Sequence, residues 1–184
     1  MRIAVTGTHG SGKTTLIGDL VAAHPAYESV AEPYWLFAED GTPFAEEPSI
    51  DDLEQQLARS CRLMLEEATG ADVIFDRGPL DFLGYLDVVS AGEGFEWLPD
   101  GRLLRRIGRA LASLDLLVFV PLRAVDEIAG PIELPALRAA VDRRLKTMLR
   151  DDDLGLLGNG PRILELTGTR AERLARVTAA MDGG

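Results

Sequence analysis

Residues 1–15, MRIAVTGTHGSGKTT, set Gly7-Thr8-His9-Gly10-Ser11-Gly12-Lys13-Thr14 between an apolar run and the start of a helical pattern. The spacing GxxxxGK[ST] commits this end of the chain to strand, glycine-rich turn and helix. Glycines let the backbone take positive φ and approach a ligand closely, so successive N–H groups can turn inward around a phosphate. Lys13 supplies a mobile cation for β- and γ-phosphates, Thr14 a hydroxyl for Mg²⁺, and the helix opening at Gly12 its positive end. The strand is read from Arg2 to Thr6 and the helix from Lys13 to Ala22. Gly7, Thr8, His9, Gly10, Ser11, Gly12, Lys13, Thr14 and Thr15 are the candidate nucleotide-binding residues, with ATP and Mg²⁺ as the expected ligands.

A chain of 184 residues, 46% of them hydrophobic, suits one domain over 1–184 with a full core. The net charge of −11 excludes a general nucleic-acid binder, which needs a basic surface along the phosphate backbone. The single cysteine, Cys61, excludes an internal disulfide and a multi-cysteine zinc site. A charged leader and a long apolar span are both missing, so no membrane partner and a cytoplasmic setting are expected.

Apolar runs of strand length alternate with helical patterns, the mark of βαβ units and a doubly wound parallel sheet with helices on both faces. Strands are expected at about 2–6, 27–31, 72–76, 115–120 and 162–166. From Ser49 to Ala68 the residues Leu53, Leu57, Cys61, Met64, Leu65 and Ala68 recur at helical steps, and Ser49 before Asp52 reads as a helix start. The stretch Gly41 to Pro48 reads as a surface loop. Ala91 to Gly101, holding Trp97, reads as a packed loop or a flap, and Asp151-Asp152-Asp153 as a solvated helix end.

Val73-Ile74-Phe75-Asp76 is an apolar strand ending in a carboxylate, the form of a Walker B element that reaches Mg²⁺. Aspartate also caps turns, and Gly78-Pro79 follows. Arg77 stands where hydrolytic ATPases place a water-polarising glutamate, which favours a kinase whose nucleophile arrives with a second substrate. The second strand ends at Glu32. In open α/β sheets ligands gather beyond the carboxyl ends of strands, so Glu32 is a candidate to receive an acceptor's hydroxyl proton. The other reading is a helix cap or surface ion pair. Tyr34, Trp35 and Phe37 either stack on a flat ring or join the core. Arg77, with Asp81 behind it, clamps the acceptor or holds Glu32. Arg138, Arg143, Arg144 and Lys146 lie in a lid expected at about 121–150, and Arg143 is the candidate to meet the transferring phosphoryl group.

TGTHGSGKTT, the Glu32-Pro33 strand end, FDRGPLDFLGYL and LELTGTRAERLARV together resemble the small AAA-domain, P-loop kinase-like family. That family is related to the ribosylnicotinamide kinase domain of NadR and, more distantly, to deoxynucleoside and thymidylate kinases. The resemblance implies a P-loop NTPase fold with five parallel strands in the order 2-3-1-4-5 and Walker B beside the phosphate-loop strand. It also implies a lid before the last strand, and a loop from Thr167 to Arg170 against adenine that makes Arg170 a nucleotide contact. Lys13, Thr14, Asp76, Arg77 and Glu32 match the family's nucleotide, metal, Asp-Arg and carboxylate positions. The lid lacks the dense arginine series of better-known kinases. The activity expected is ATP- and Mg²⁺-dependent transfer to a nucleoside, nucleotide or related small acceptor, with a regulatory ATPase switch as the alternative.

Overall fold

The computed structural model describes residues 1–41, 48–123, 134–158 and 160–183. Most of the loop expected at Gly41 to Pro48, and the 124–133 part of the expected lid, lie outside them. The described elements are β1 (Arg2–Thr6), α1 (Lys13–Ala23), β2 (Glu28–Val30), α2 (Pro33–Glu39), α3 (Ile50–Arg62), β3 (Val73–Asp76) and α4 (Pro79–Gly92). They continue through α5 (Gly101–Ala112), β4 (Leu116–Phe119), α6 (Pro135–Asp151), β5 (Arg162–Glu165) and α7 (Arg170–Asp182).

The five strands form one parallel sheet in the order β2-β3-β1-β4-β5. Strand period explains why both faces are covered, because alternate residues point to opposite sides. Ala4, Phe75, Leu117 and Phe119 pack with α3, α4, α5 and α6 in one core, while Ile3, Val5, Ile74, Leu116 and Val118 pack with α1 and α7 in another. The central strands are buried except at Arg2, whereas the edge strands β2 and β5 are largely exposed and read ESV and RILE. Polar residues suit an edge.

The helix expected from Ser49 holds to Arg62 and then widens into a π turn over Leu63–Glu67, with Ala68 N–H donating to Leu63 O at 2.9 Å. Arg2 takes up the freed carbonyls there, donating to Met64 O at 2.6 Å and to Ala68 O at 2.6 Å. Ser49 Oγ accepts from Asp52 N–H, so the expected helix start is present. Cys61 is fully buried, and burial pushes its thiol up to about 11, which leaves it an apolar packing residue. Trp97 is packed rather than flap-like, since its Nε1–H donates to Glu54 Oε1 at 2.6 Å.

The aspartate cluster lies at the end of α6 with Asp151 and Asp153 exposed, as expected, and two of its carboxylates also have partners. Asp152 takes φ +45 at the end of α6, and its carboxylate accepts from the N–H groups of Leu156 and Leu157, while Asp153 pairs with Arg144. One carboxylate organises the turn and the next anchors a helix. Among the described residues no helix is long and apolar enough to cross a membrane.

Candidate phosphate-loop site

Register places the site. Val5 pairs with Asp76 across β1 and β3, so the chain leaves β1 into the glycine loop directly beside the end of β3. Gly7 has φ +149, and a Cβ there would sit 2.5 Å from Val120 O, so only glycine fits. Gly12 has φ +95 and precedes α1, which starts at Lys13. The left-handed turn aims the first amides of α1 back into the loop.

Lys13 and Thr14 then point to different partners. Lys13 is buried at 5% exposure, and its Nζ donates to Thr8 O at 3.1 Å. Burial pulls the ammonium down to about 8, helped by Arg77 and opposed by Asp81, Asp76 and Glu32. Thr14 Oγ1 donates to Asp76 Oδ2 at 2.8 Å. The other oxygen, Asp76 Oδ1, is buried without a hydrogen-bond partner. Burial raises the Asp76 carboxyl, against Lys13 and the Thr14 hydroxyl, which lower it. A threonine hydroxyl next to a carboxylate with an unspent lone pair is an oxygen donor set of the kind Mg²⁺ takes with waters and phosphate. These residues fit a magnesium ion. Among the described residues no three His, Cys, Asp or Glu side chains converge, so a multi-carboxylate cage is not built there.

Asp76 does not cap the following turn. That cap is Asp81, wholly buried in the first turn of α4, which accepts from Gly78 N–H at 2.9 Å, Gly7 N–H at 2.8 Å and Thr6 Oγ1 at 2.6 Å. Sequence reading named Asp81 only as the residue behind Arg77. Its place explains how the loop is joined to the β3 end.

Arg77 holds Glu32. Its Nε donates to Glu32 Oε2, its Nη1 reaches Gly7 O at 3.1 Å, and its guanidinium lies 5.6 Å from the Tyr85 ring centroid. Its backbone sits at φ +77, a conformation costing a non-glycine residue roughly 1–2 kcal/mol. Burial lowers the Arg77 pKa, but Glu32, Tyr85 and Asp81 outweigh it and the net shift is upward. For Glu32 burial pushes up, while Arg77, Lys13 and His9 together hold the carboxyl below its ordinary value. Glu32 precedes α2 but makes no side-chain cap, which removes the capping reading, while the ion-pair reading is met by its pair with Arg77. Tyr34 and Trp35, packed edge to face at 5.2 Å, are 39% and 58% exposed beside it, so they are not core.

Tyr85 was missed by sequence reading. Its hydroxyl meets Thr8 Oγ1 at 3.1 Å, His9 N–H at 3.1 Å and His9 Nδ1 at 2.9 Å. The signal was available as a polar pair, Asp81 and Tyr85, one helical turn apart in the otherwise apolar PLDFLGYL.

An open cleft of about 330 Å³ runs beside the loop, lined by Gly10, Ser11, Gly12, Thr15 and the arginines 123, 138, 170 and 173. Arg170 is exposed and grips Asp19 through two bonds, Nε to Oδ2 at 2.7 Å and Nη2 to Oδ1 at 2.5 Å. Arg143 is exposed on α6, and Arg144 and Lys146 pair with Asp87 and Asp142. Arg138 is the residue of α6 that the structure brings to the loop, donating from Nε to His9 O at 2.8 Å. Arg173 of α7, which no sequence signal marked, reaches Ser11 O.

The comparisons with known proteins follow this geometry. Thymidylate kinase from Candida albicans shares the fold at a TM-score of 0.65 and 15% identity, over 98% of this chain and 90% of that one. Deoxyadenosine kinase from M. mycoides with bound dATP gives 0.64 and 12%, over 99% of this chain and 100% of that one. NadR protein in complex with NR gives 0.64 and 17%, and this chain, 99% covered, spans 51% of it. No curated protein matches the sequence. The profile of the AAA domain family matches residues 2–173. Because that match spans nearly the whole chain, with the β2-β3-β1-β4-β5 sheet and the GxxxxGK[ST] loop both in place, the chain belongs to that AAA domain family.

Proposed function

We propose that this protein is an ATP- and Mg²⁺-dependent phosphotransferase acting on a small acceptor, a nucleoside, nucleotide or related metabolite. The observation that carries the reading is the Arg77–Glu32 pair beside the phosphate loop. Position 77 holds no carboxylate to polarise water. Instead its arginine fixes Glu32 close enough to Lys13 and His9 for their charges to lower its pKa. A carboxylate in that place suits an incoming hydroxyl better than a bulk water molecule. The likeness in fold to thymidylate and deoxyadenosine kinases agrees with this reading.

In the reaction, the acceptor oxygen bonds to the γ-phosphorus, the bond to ADP breaks, and the hydroxyl proton passes to Glu32 or to water. The loop amides and Lys13 hold the β- and γ-phosphates. Thr14 and Asp76 would hold Mg²⁺, which when bound neutralises charge on the phosphate oxygens. Residues 1–184 act as one kinase-like domain, with arginines of the 121–150 region and Arg170 along the nucleotide, in a cytoplasmic setting that supplies both ligands.

The test is incubation with ATP, Mg²⁺ and a panel of nucleosides, nucleotides and cofactor precursors, read by mass spectrometry. Acceptor-dependent ADP formation, with one acceptor gaining a phosphoryl unit, is the expected result. ADP released at the same rate without any acceptor contradicts transfer and leaves a hydrolytic switch.

Asp76→Asn separates function from stability. The carboxylate is disfavoured by burial in the folded state, so its cost to stability grows as pH rises through the carboxylate range and is absent from the asparagine. The variant is expected to melt no lower than wild type at neutral pH, yet to lose magnesium-dependent ATP affinity by at least about tenfold. Calorimetry with and without Mg²⁺ checks this.

A further inference from the structure

The carbonyls of the phosphate loop are held in an unbroken series. Gly7 O accepts from Arg77 Nη1 at 3.1 Å and Thr8 O from Lys13 Nζ at 3.1 Å. His9 O accepts from Arg138 Nε at 2.8 Å, Gly10 O from Arg138 Nη2 at 2.9 Å, and Ser11 O from Arg173 Nη1 at 3.4 Å. Four cations from α1, the β3 turn, α6 and α7 thus take five consecutive carbonyls. Lys13 and Arg77 already have roles at the reacting end. Arg138 and Arg173 are the other two, both buried, at 3% and 7% exposure.

Peptide geometry gives this series a consequence. In a trans peptide the C=O of one residue and the N–H of the next point in opposite directions. Fixing the carbonyls of His9, Gly10 and Ser11 therefore fixes the amides of Gly10, Ser11 and Gly12. A flexible glycine loop pays an entropic cost to line up its amides on a phosphate, and groups that hold the backbone beforehand reduce that cost. The planar guanidinium fork of Arg138 spans two neighbouring carbonyls at once, which an ammonium on a single carbon stem cannot do.

We propose that Arg138 and Arg173 are positioning residues for the phosphate loop: they hold its carbonyls outward so that the amides of Gly10 and Gly12 face a bound polyphosphate, while the Ser11 N–H donates to Thr8 O within the loop. The proposal rests on the reading of the loop as a nucleotide site but not on phosphoryl transfer. It places the affinity for phosphate partly in α6 and α7, which join the loop from 129 and 162 residues away in sequence.

Arg138→Lys keeps the charge and loses the two-carbonyl fork, and Arg173→Lys keeps the charge but changes the donor that reaches Ser11 O, so they separate positioning from simple attraction. Calorimetry with Mg²⁺ and inorganic tripolyphosphate, and then with ADP, is the measurement. Both variants should lose roughly 10- to 100-fold in affinity for tripolyphosphate and ADP alike, the size of effect expected for charge-assisted hydrogen bonds. Arg138→Gln should lose at least as much, and its melting temperature reports whether the fold is kept. Arg150→Gln on α6 and Arg176→Gln on α7, both exposed, should bind as wild type.

Wild-type affinity in the two lysine variants overturns the proposal. So does intact affinity combined with a fall in the single-turnover transfer rate at saturating ATP, which would make Arg138 a charge acting on the phosphoryl group. Wild-type protein that binds tripolyphosphate but transfers to no acceptor sinks the kinase reading and leaves this proposal standing. Wild-type protein that does not bind tripolyphosphate overturns both.

Discussion

Lys13→Met is expected to cut phosphoryl transfer by roughly 10²–10³-fold, the usual loss when one preorganised donor to a developing charge is removed. Lys13 is buried, so the choice of replacement matters. Alanine would leave a void where the lysine stem packs. Methionine fills most of that volume without a charge. The ammonium has exchanged water for Thr8 O and is pulled to about 8 from an ordinary 10.5. Between these values the unfolded chain binds the extra proton, so the lysine makes wild-type stability rise with pH across that window. Lys13→Met should lack this rise and melt no lower than wild type at neutral pH. Thermal melts at the two ends of the window, paired with a transfer assay, check both parts. Retained transfer in a folded Lys13→Met protein is incompatible with any phosphate-loop mechanism.

Glu32→Gln should lower kcat by roughly 10²-fold while ATP affinity stays within about twofold, because general-base and orienting groups act on the acceptor and not on the nucleotide. The amide oxygen still accepts from Arg77, so the variant tests charge and not packing. The pH dependence follows from the direction of the shift. Burial would raise this carboxyl, but Arg77, Lys13 and His9 hold it low, so it stays ionised as pH falls through the ordinary carboxylate range. Transfer by the wild type should therefore show no acid limb in that range, and the limb should appear only below it. A carboxylate held this low is a weak base. On the proposed reading it acts chiefly by orienting the acceptor hydroxyl, which suits a loose transition state that needs little proton transfer early on. Unchanged turnover in Glu32→Gln removes it from the acceptor side.

The parts of this site written in local sequence were readable because short-range geometry dictates them. Gly7 and Gly12 need positive φ and Lys13 opens the helix, so spacing alone sets the loop, while Asp76 ends a buried strand that pairing with β1 brings beside it. The sheet order followed from the family resemblance. Arg77 was left with two possible tasks, and only its contact with Glu32 and its φ of +77 choose between them. Long-range pairings carried no such signal. Arg143 and Arg138 sit on one helix, and nothing in their spacing says that Arg138 faces the loop while Arg143 faces solvent. Arg173 lies among Arg170 and Arg176 in an amphipathic helix, and only the packing of α7 on α1 singles it out. Asp81 was named only as the residue behind Arg77. Its burial under Thr6 and Gly7 makes it the joint between loop and strand.

Calorimetric titration of ATP into the protein in excess Mg²⁺ tests the central claim, that the amide-lined loop from Gly7 to Thr14 binds a nucleotide triphosphate. A saturable heat at one site per chain, weakened in both Lys13→Met and Asp76→Asn, is the predicted result. Absence of any binding heat from folded wild-type protein, or equal binding by all three proteins, contradicts it.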